Sequence, residues 1–348
     1  MLDRKIYSSL DIMKFIMAML ILTQHTCNEW AHSTGLVHAF FGLGNFAVPF
    51  FFACSGFLFF TKLNNLDLQQ QNDYYKNWSI RIGKMYLVWS LIYFLFVFAH
   101  WIEQGFCMSQ ILRYVHRSVV FSTYATIWFL PALWIGVSLC YLLKKTVSKK
   151  AMCLIILLLL IVGNLFGSYT NVITSIPSIS LIHEAYMDVF ITWRNGFFNG
   201  TPYVFIGILL ADGFGRNISR SKSFLFAILF GILFLFEAFS ISKFSLSSAT
   251  DMGFMMFPAI FFIMNVLINT DITQKRIWTH LRNLSMLVFL GQRLFLTAIP
   301  GILPRSVSEK IISWPDPIIF LFFIVLVLAF SFLIERLSER HKIFKILW

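Results

Sequence analysis

Lys14 and His25 stand eleven residues apart in an otherwise apolar stretch near the N-terminus. If that stretch is helical, 100° per residue carries the chain through three turns plus about 20° between them, so both side chains share one stripe. At 1.5 Å per residue they are separated by about 16 Å along the axis. An ammonium group holds anions, and an imidazole takes or gives a proton near neutral pH. An anion held at Lys14 would reach His25 only through an extended arm. The plainer alternative is that Lys14 snorkels to an interface while His25 hydrogen-bonds a neighbouring helix, and the spacing leaves both open. Arg81 and Lys84, at i and i+3, would present two cations on one helical face. That suits a phosphate group, or simple anchoring at a membrane surface. Trp193-Arg194-Asn195-Gly196 brings a guanidinium and a carboxamide to the edge of another apolar run, as a polar pocket or with Arg194 capping a helix or snorkelling. Arg293, preceded by Gln292, falls mid-way along an apolar segment, where snorkelling is hard. Glu237 and Asp251 flank one loop and are possible partners for Arg194 or Arg293.

The elements that must position these groups follow from composition. Of 348 residues, 58% are hydrophobic and 13% charged, with 41 Phe and 10 Trp, and the mean hydropathy is +0.75. Soluble domains carry about 25% charged residues, so most of this chain is expected to face lipid. That excludes a soluble enzyme, a DNA-binding domain, a disordered tail and a disulfide scaffold. The five Cys are scattered, and four lie in or beside apolar runs, so they read as small core hydrophobes. The eight His are dispersed and no His/Cys group has ligand spacing, so no metal is expected.

A bilayer core of about 30 Å needs about 20 apolar residues in a helix. Ten segments answer to that: Leu10–Asn28, Phe46–Lys62, Lys84–Trp101, Ser122–Leu143, Ala151–Phe166, Gly200–Asp212, Ser223–Ser240, Asp251–Ile268, Leu284–Ile302 and Pro317–Leu337. The sixth has a short apolar part and extends back through Trp193 and Asn195. The fold class expected is an all-α polytopic membrane protein, one integral-membrane domain over 1–348, in the inner (plasma) membrane. No cleavable signal is evident, because Asp11 and Lys14 interrupt the first apolar run. Counting by these boundaries, twenty Lys and Arg, beginning with Arg4 and Lys5, fall on the N-terminal side and six on the other. The bias places both termini in the cytoplasm. The net charge of +12 is then a topology signal rather than a nucleic-acid footprint. Asn64 to Asn77 reads as the longest polar loop on the inside, and Gly167 to Trp193 as the longest segment outside.

Several motifs, in order, resemble the acyltransferase-3 family of bacterial membrane proteins. Leu10-Asp11-Ile12-Met13-Lys14 followed by ten residues and His25 is similar to that family's basic-x10-His signature. Val48-Pro49-Phe50-Phe51-Phe52-Ala53-Cys54-Ser55-Gly56-Phe57 resembles its P-x-F-F-x-x-S-G-F pattern. Arg81-Ile82-Gly83-Lys84 resembles its basic-x-x-basic motif, and Trp128-Phe129-Leu130 its fourth-helix W-F-L. The run Arg194-Asn195-Gly196-Phe197-Phe198, with Pro202 and Gly207, looks like the branch that includes the membrane half of vancomycin-resistance serine racemases. The resemblance covers nearly the whole chain and carries ten helices with cytoplasmic ends. This sequence departs from the family in using lysine at Lys14 and Lys84, where arginine is commoner. It also has Thr126 where many members place a His, and Gln292-Arg293 where a His-Pro is frequent.

The resemblance implies transfer of an acyl group, usually acetyl, from cytosolic acyl-CoA to a hydroxyl on an extracytoplasmic cell-envelope glycan or lipid-linked sugar. It makes His25 the catalytic histidine, and Lys14, Arg81 and Lys84 the donor-binding residues. Glu29, at i+4 from His25, is then a candidate for orienting the ring. Arg194, Asn195, Arg293 and Trp128 are candidates for holding the acceptor or the developing oxyanion. Acyl-CoA is expected as a co-substrate, with no permanently bound cofactor. The partners expected are the acceptor and the lipid bilayer, without nucleic acid. The rival class is a transporter of a small polar solute or amino acid, which would show inverted repeats and interrupted helices. No repeat is visible.

Overall fold

The computed structural model describes residues 7–30 and 42–348, so Arg4 and Lys5 of the inner-side count lie outside the described residues. All regular structure among the described residues is helical. The principal helices are α1 (Ser8–Trp30), α2 (Ala47–Leu63), α3 (Leu68–Gln104), α4 (Met108–Val120), α5 (Phe129–Thr146), α6 (Lys149–Ser168) and α7 (Pro177–Phe190). They are followed by α8 (Thr201–Ala211), α9 (Arg220–Lys243), α10 (Met256–Ile268), α11 (Arg276–Arg293), α12 (Arg305–Ile312) and α13 (Asp316–Arg340).

Eight helical stretches are long and apolar enough to cross a membrane, and they fall on eight of the ten expected segments. The expected sixth and eighth segments fall on shorter apolar helices, Gly196–Ala211 and Met256–Ile268. At 1.5 Å per residue, α10 spans only about 20 Å. Exposed apolar side chains mark the surface offered to lipid: on α9, Leu225 and Phe236 are 63% and 66% exposed. In water such a patch would be a liability; in hydrocarbon it is the ground state.

One expectation about loops is corrected. Most of the polar stretch Asn64 to Asn77 is helix, because α3 starts at Leu68 and continues for 37 residues. Asp67 accepts from the backbone N–H of Gln70 at 2.8 Å, an end-capping bond, and no Gly or Pro interrupts the polar turns that follow. The segment Gly167 to Trp193, expected outside, holds a short turn at Thr170–Ile173 and then α7, which opens with Pro177 where a missing N–H costs nothing. Among the cysteines, Cys27, Cys54 and Cys140 are buried, whereas Cys153 is exposed along with Cys107. Cys153 is therefore not the core residue expected.

The chain divides into two compact units, one of Met1–Ala47, Gly83–Ile127 and Asp271–Trp348, the other of Val48–Ile82 and Trp128–Thr270. In the first, α1 lies along α11, and both pack on α13. Trp30 closes this bundle, its indole N–H donating to the Leu296 carbonyl at 3.0 Å and its ring 4.9 Å from that of Phe323. The buried Trp89 indole likewise donates to Leu347 at 3.0 Å, tying down the C-terminal turn.

In the second unit, α9 pairs with α10, while α5 packs on α8 and on the turn Gly196–Gly200 before it. Two glycines permit close backbone approach in this unit, Gly56 of α2 against α8 and Gly200 against α5. A Cβ on Gly56 would stand 2.6 Å from the Val204 carbonyl oxygen, and one on Gly200 would stand 2.6 Å from that of Ala132. Glu237, whose partner the sequence left open, caps α10. Its carboxylate accepts from the N–H groups of Phe254 (2.8 Å) and Met255 (2.9 Å) and from the Tyr169 hydroxyl at 2.6 Å. Burial pushes the Tyr169 phenol up, and the adjacent carboxylate raises it further, so it stays a donor.

Candidate active site

The first unit gathers four polar residues where α1 meets α11. His25 and Glu29 are one turn apart on α1 and face one way, as i and i+4 positions do. Opposite them stand Gln292 and Arg293, at the end of α11. The His25 Nδ1 lies 3.2 Å from Gln292 Oε1, and Arg293 Nη1 donates to Glu29 Oε1 at 2.6 Å. Gln292 is fully buried, and its own Nε2 donates to the Phe289 carbonyl at 3.0 Å. The Arg293 side chain is 14% exposed, and its Nε is buried with no hydrogen-bond partner among the described residues.

A second layer braces this end of α11. Tyr93 donates to the Leu290 carbonyl at 2.6 Å and stacks on Tyr124, with ring centroids 4.3 Å apart. The Tyr124 hydroxyl meets Thr297 Oγ1 at 3.1 Å, and Thr297 donates to the Arg293 carbonyl at 3.0 Å. Just after Arg293 the helix widens into a π-helical turn, Leu294–Ala298, a distortion frequent at functional sites. The arrangement offers a proton acceptor, an ion pair and an unsatisfied N–H donor within a few side chains of one another.

Lys14 lies three turns back along α1, where its ammonium is 3.6 Å from Asp11. Arg282 reaches the other oxygen of Asp11 at 3.8 Å. Two cations about one carboxylate leave a local excess of one positive charge, which still suits an anion. Arg81 and Lys84 occupy one face of α3 and are both exposed, as a pair awaiting a polyanion or lying at a headgroup surface would be.

In the second unit, Arg194 ion-pairs with Asp251 and lies over the Trp128 ring at 5.2 Å, a cation–π contact. Asn195 is committed to local structure. Its Oδ1 accepts from the N–H groups of Phe197 (3.0 Å) and Phe198 (3.3 Å), and its Nδ2 donates to the Tyr186 hydroxyl at 2.6 Å. It caps the π-helical turn Gly196–Gly200. Trp193 stacks between Tyr186 and Phe166, at 3.7 and 4.2 Å, and holds the turn that presents Arg194.

The decisive comparison is with protein families: an acyltransferase domain matches residues 7–336. The chain belongs to the acyltransferase-3 family. Among curated proteins, this family member is 25% identical over 278 residues to an amino-acid racemase of Enterococcus faecalis, covering 76% of this chain and 36% of the racemase. It is also 25% identical over 300 residues to a serine/alanine racemase of Enterococcus gallinarum, covering 86% of this chain and 41% of that protein. The chain thus spans less than half the length of either relative. No solved structure matches it.

Of the residues singled out in this acyltransferase-3 sequence, the structure brings His25, Glu29 and Arg293 together in one unit, and Trp128, Arg194 and Asn195 together in the other. Asp251, one of the partners the sequence offered, is the one on Arg194; three residues escaped assignment, Gln292 against His25 and Asp11 with Arg282 around Lys14. Gln292 carried a signal, being polar in mid-span beside Arg293.

Proposed function

We propose that this protein is a membrane O-acyltransferase that takes an acyl group, acetyl in the simplest case, from cytosolic acyl-CoA. The acceptor is a hydroxyl of an extracytoplasmic cell-envelope glycan or lipid-linked sugar. The observation that carries the reading is the family match over residues 7–336, joined to a histidine that sits in a polar cluster on the same helix stripe as Lys14. The separation of about 16 Å between them suits a long acyl-bearing arm with its phosphates at the basic end. Lys14, Arg81 and Lys84 are the cations for those phosphates. His25 accepts the acceptor hydroxyl's proton as that oxygen bonds to the acyl carbon. The carbon–sulfur bond then breaks, and the departing thiolate takes the proton back from the imidazolium. The unsatisfied Arg293 Nε–H is a donor for the oxyanion of this step, and Glu29 keeps the guanidinium in place. Arg194, over Trp128, is a group for holding the acceptor. Mass spectrometry of envelope glycans from cells with and without the protein should show loss of an acyl increment in its absence; identical acylation in both would contradict the proposal.

The orientation belongs to the same reading, with ten crossings and both termini inside. Twenty Lys and Arg against six support it. In a variant lacking the exposed Cys107 and Cys153, Val147→Cys should resist an impermeant thiol reagent on intact cells. A cysteine in the Gly167–Trp193 stretch should label. The reverse pattern would overturn the orientation.

A further inference from the structure

We propose that Arg113 and Arg117 of α4 bind the phosphate of a lipid-linked acceptor and so bring its sugar to the cluster of His25 and Arg293. The inference rests on the acyltransferase reading and narrows it, since the acceptor is then anionic. It starts from a hairpin. The chain leaves α3 through Gly105 at φ +86°, a left-handed turn that glycine makes without strain, and doubles back as α4. Tyr114 packs on Trp101 and Phe94 of α3, at 5.4 and 5.8 Å. Further along, the Tyr86 hydroxyl donates to the Ser118 carbonyl at 3.4 Å, and Thr123 meets Ser90 at 2.7 Å. α4 therefore runs antiparallel along the apolar length of α3.

Helical phase sorts the two sides of this hairpin. On α4, Met108, Leu112, Val115 and Val119 fall within about 60° of one another and are between 53% and 81% exposed. On α3, Leu91, Leu95, Phe98 and Ile102 form a matching exposed row. With the two helices antiparallel and touching through Tyr114 and Phe94, both rows turn to the same side, and that side suits lipid. Arg113 and Arg117, about 40° apart, turn to the opposite side, where α3 carries Tyr93. Both are exposed, and α4 holds no Asp or Glu to neutralise them. Arginine beside hydrocarbon is costly unless it meets an anion, and its planar fork matches a phosphate. The side they face is that of the candidate site, not that of bulk lipid. Past the end of α4, Tyr124 stacks on Tyr93 and meets Thr297, which bonds the Arg293 carbonyl. Arg117 precedes Tyr124 by seven residues, a separation that a sugar or two can bridge.

Binding tests the site apart from the reaction. The protein, in nanodiscs of phosphatidylcholine, is titrated with a polyprenyl phosphate and with the corresponding neutral polyprenol, and bound lipid is counted by native mass spectrometry. The phosphate should be preferred, and R113Q/R117Q should weaken it by about 10-fold or more, the scale of a lost charge-assisted contact. Polyprenol binding should not change in that variant, which shows that the hairpin is intact, and R113K/R117K should keep part of the preference. Equal binding of phosphate and alcohol would overturn the inference, and so would a preference untouched in R113Q/R117Q. Phosphatidylglycerol should compete only weakly; one-for-one competition would assign the arginines to ordinary phospholipid and overturn the inference too. Phosphate bound as expected with no acetyl transfer would leave the site standing and strike at the acyltransferase reading.

Discussion

His25→Ala should abolish acyl transfer for practical purposes, lowering the rate by about 10²–10⁴-fold, the range expected on losing a general base. The ring lies at the α1–α11 contact, with Nδ1 on Gln292, and alanine leaves that buried amide oxygen without this partner. Losing that hydrogen bond costs about 1–3 kcal/mol, and the variant should still insert and be purified at wild-type yield. The loss should fall on kcat and leave acetyl-CoA binding intact, because the cations assigned to the phosphates lie elsewhere. In the same assay Arg293→Gln should lose less, about 10²–10³-fold, the usual effect of removing one oxyanion donor. A purified, folded His25→Ala protein that acylates at near-normal rate would return His25 to the role of a packing residue.

Apolar helices were legible because hydropathy is a property of single segments: eight of the ten expected segments fall on helices long and apolar enough to cross a membrane, and two on shorter ones. The helical stripe of Lys14 and His25 was legible for the same reason, since spacing within one helix needs no knowledge of its neighbours. Polar helices were harder. The polar first turns of α3 read as a loop in the sequence, because polar composition does not separate a solvated helix from a loop. Glu29 and Arg293 are separated by 264 positions and His25 and Gln292 by 267, and no local pattern says that α1 lies along α11. Asn195 shows the converse. A carboxamide at the edge of an apolar run left a pocket and a cap both open, and the structure shows it capping the π-helical turn and bonding Tyr186.

The acyl donor is the part of the account most open to a direct measurement. Arg81 and Lys84 stand exposed on one face of α3, and exposed charge contacts are worth about 0.2–1 kcal/mol each. The pair replaced together by Gln should therefore weaken acetyl-CoA affinity only several-fold, whereas Lys14, mostly buried at 13% exposure, should matter more. Binding should also fall as salt rises and screens the phosphate contacts. A transporter of a small polar solute has no reason to bind acetyl-CoA at all. Titration calorimetry of the purified wild-type protein with acetyl-CoA at low ionic strength separates the two. The account predicts saturable binding that weakens with salt and weakens further in R81Q/K84Q; a folded wild-type protein that binds no acetyl-CoA at low or high salt would contradict it.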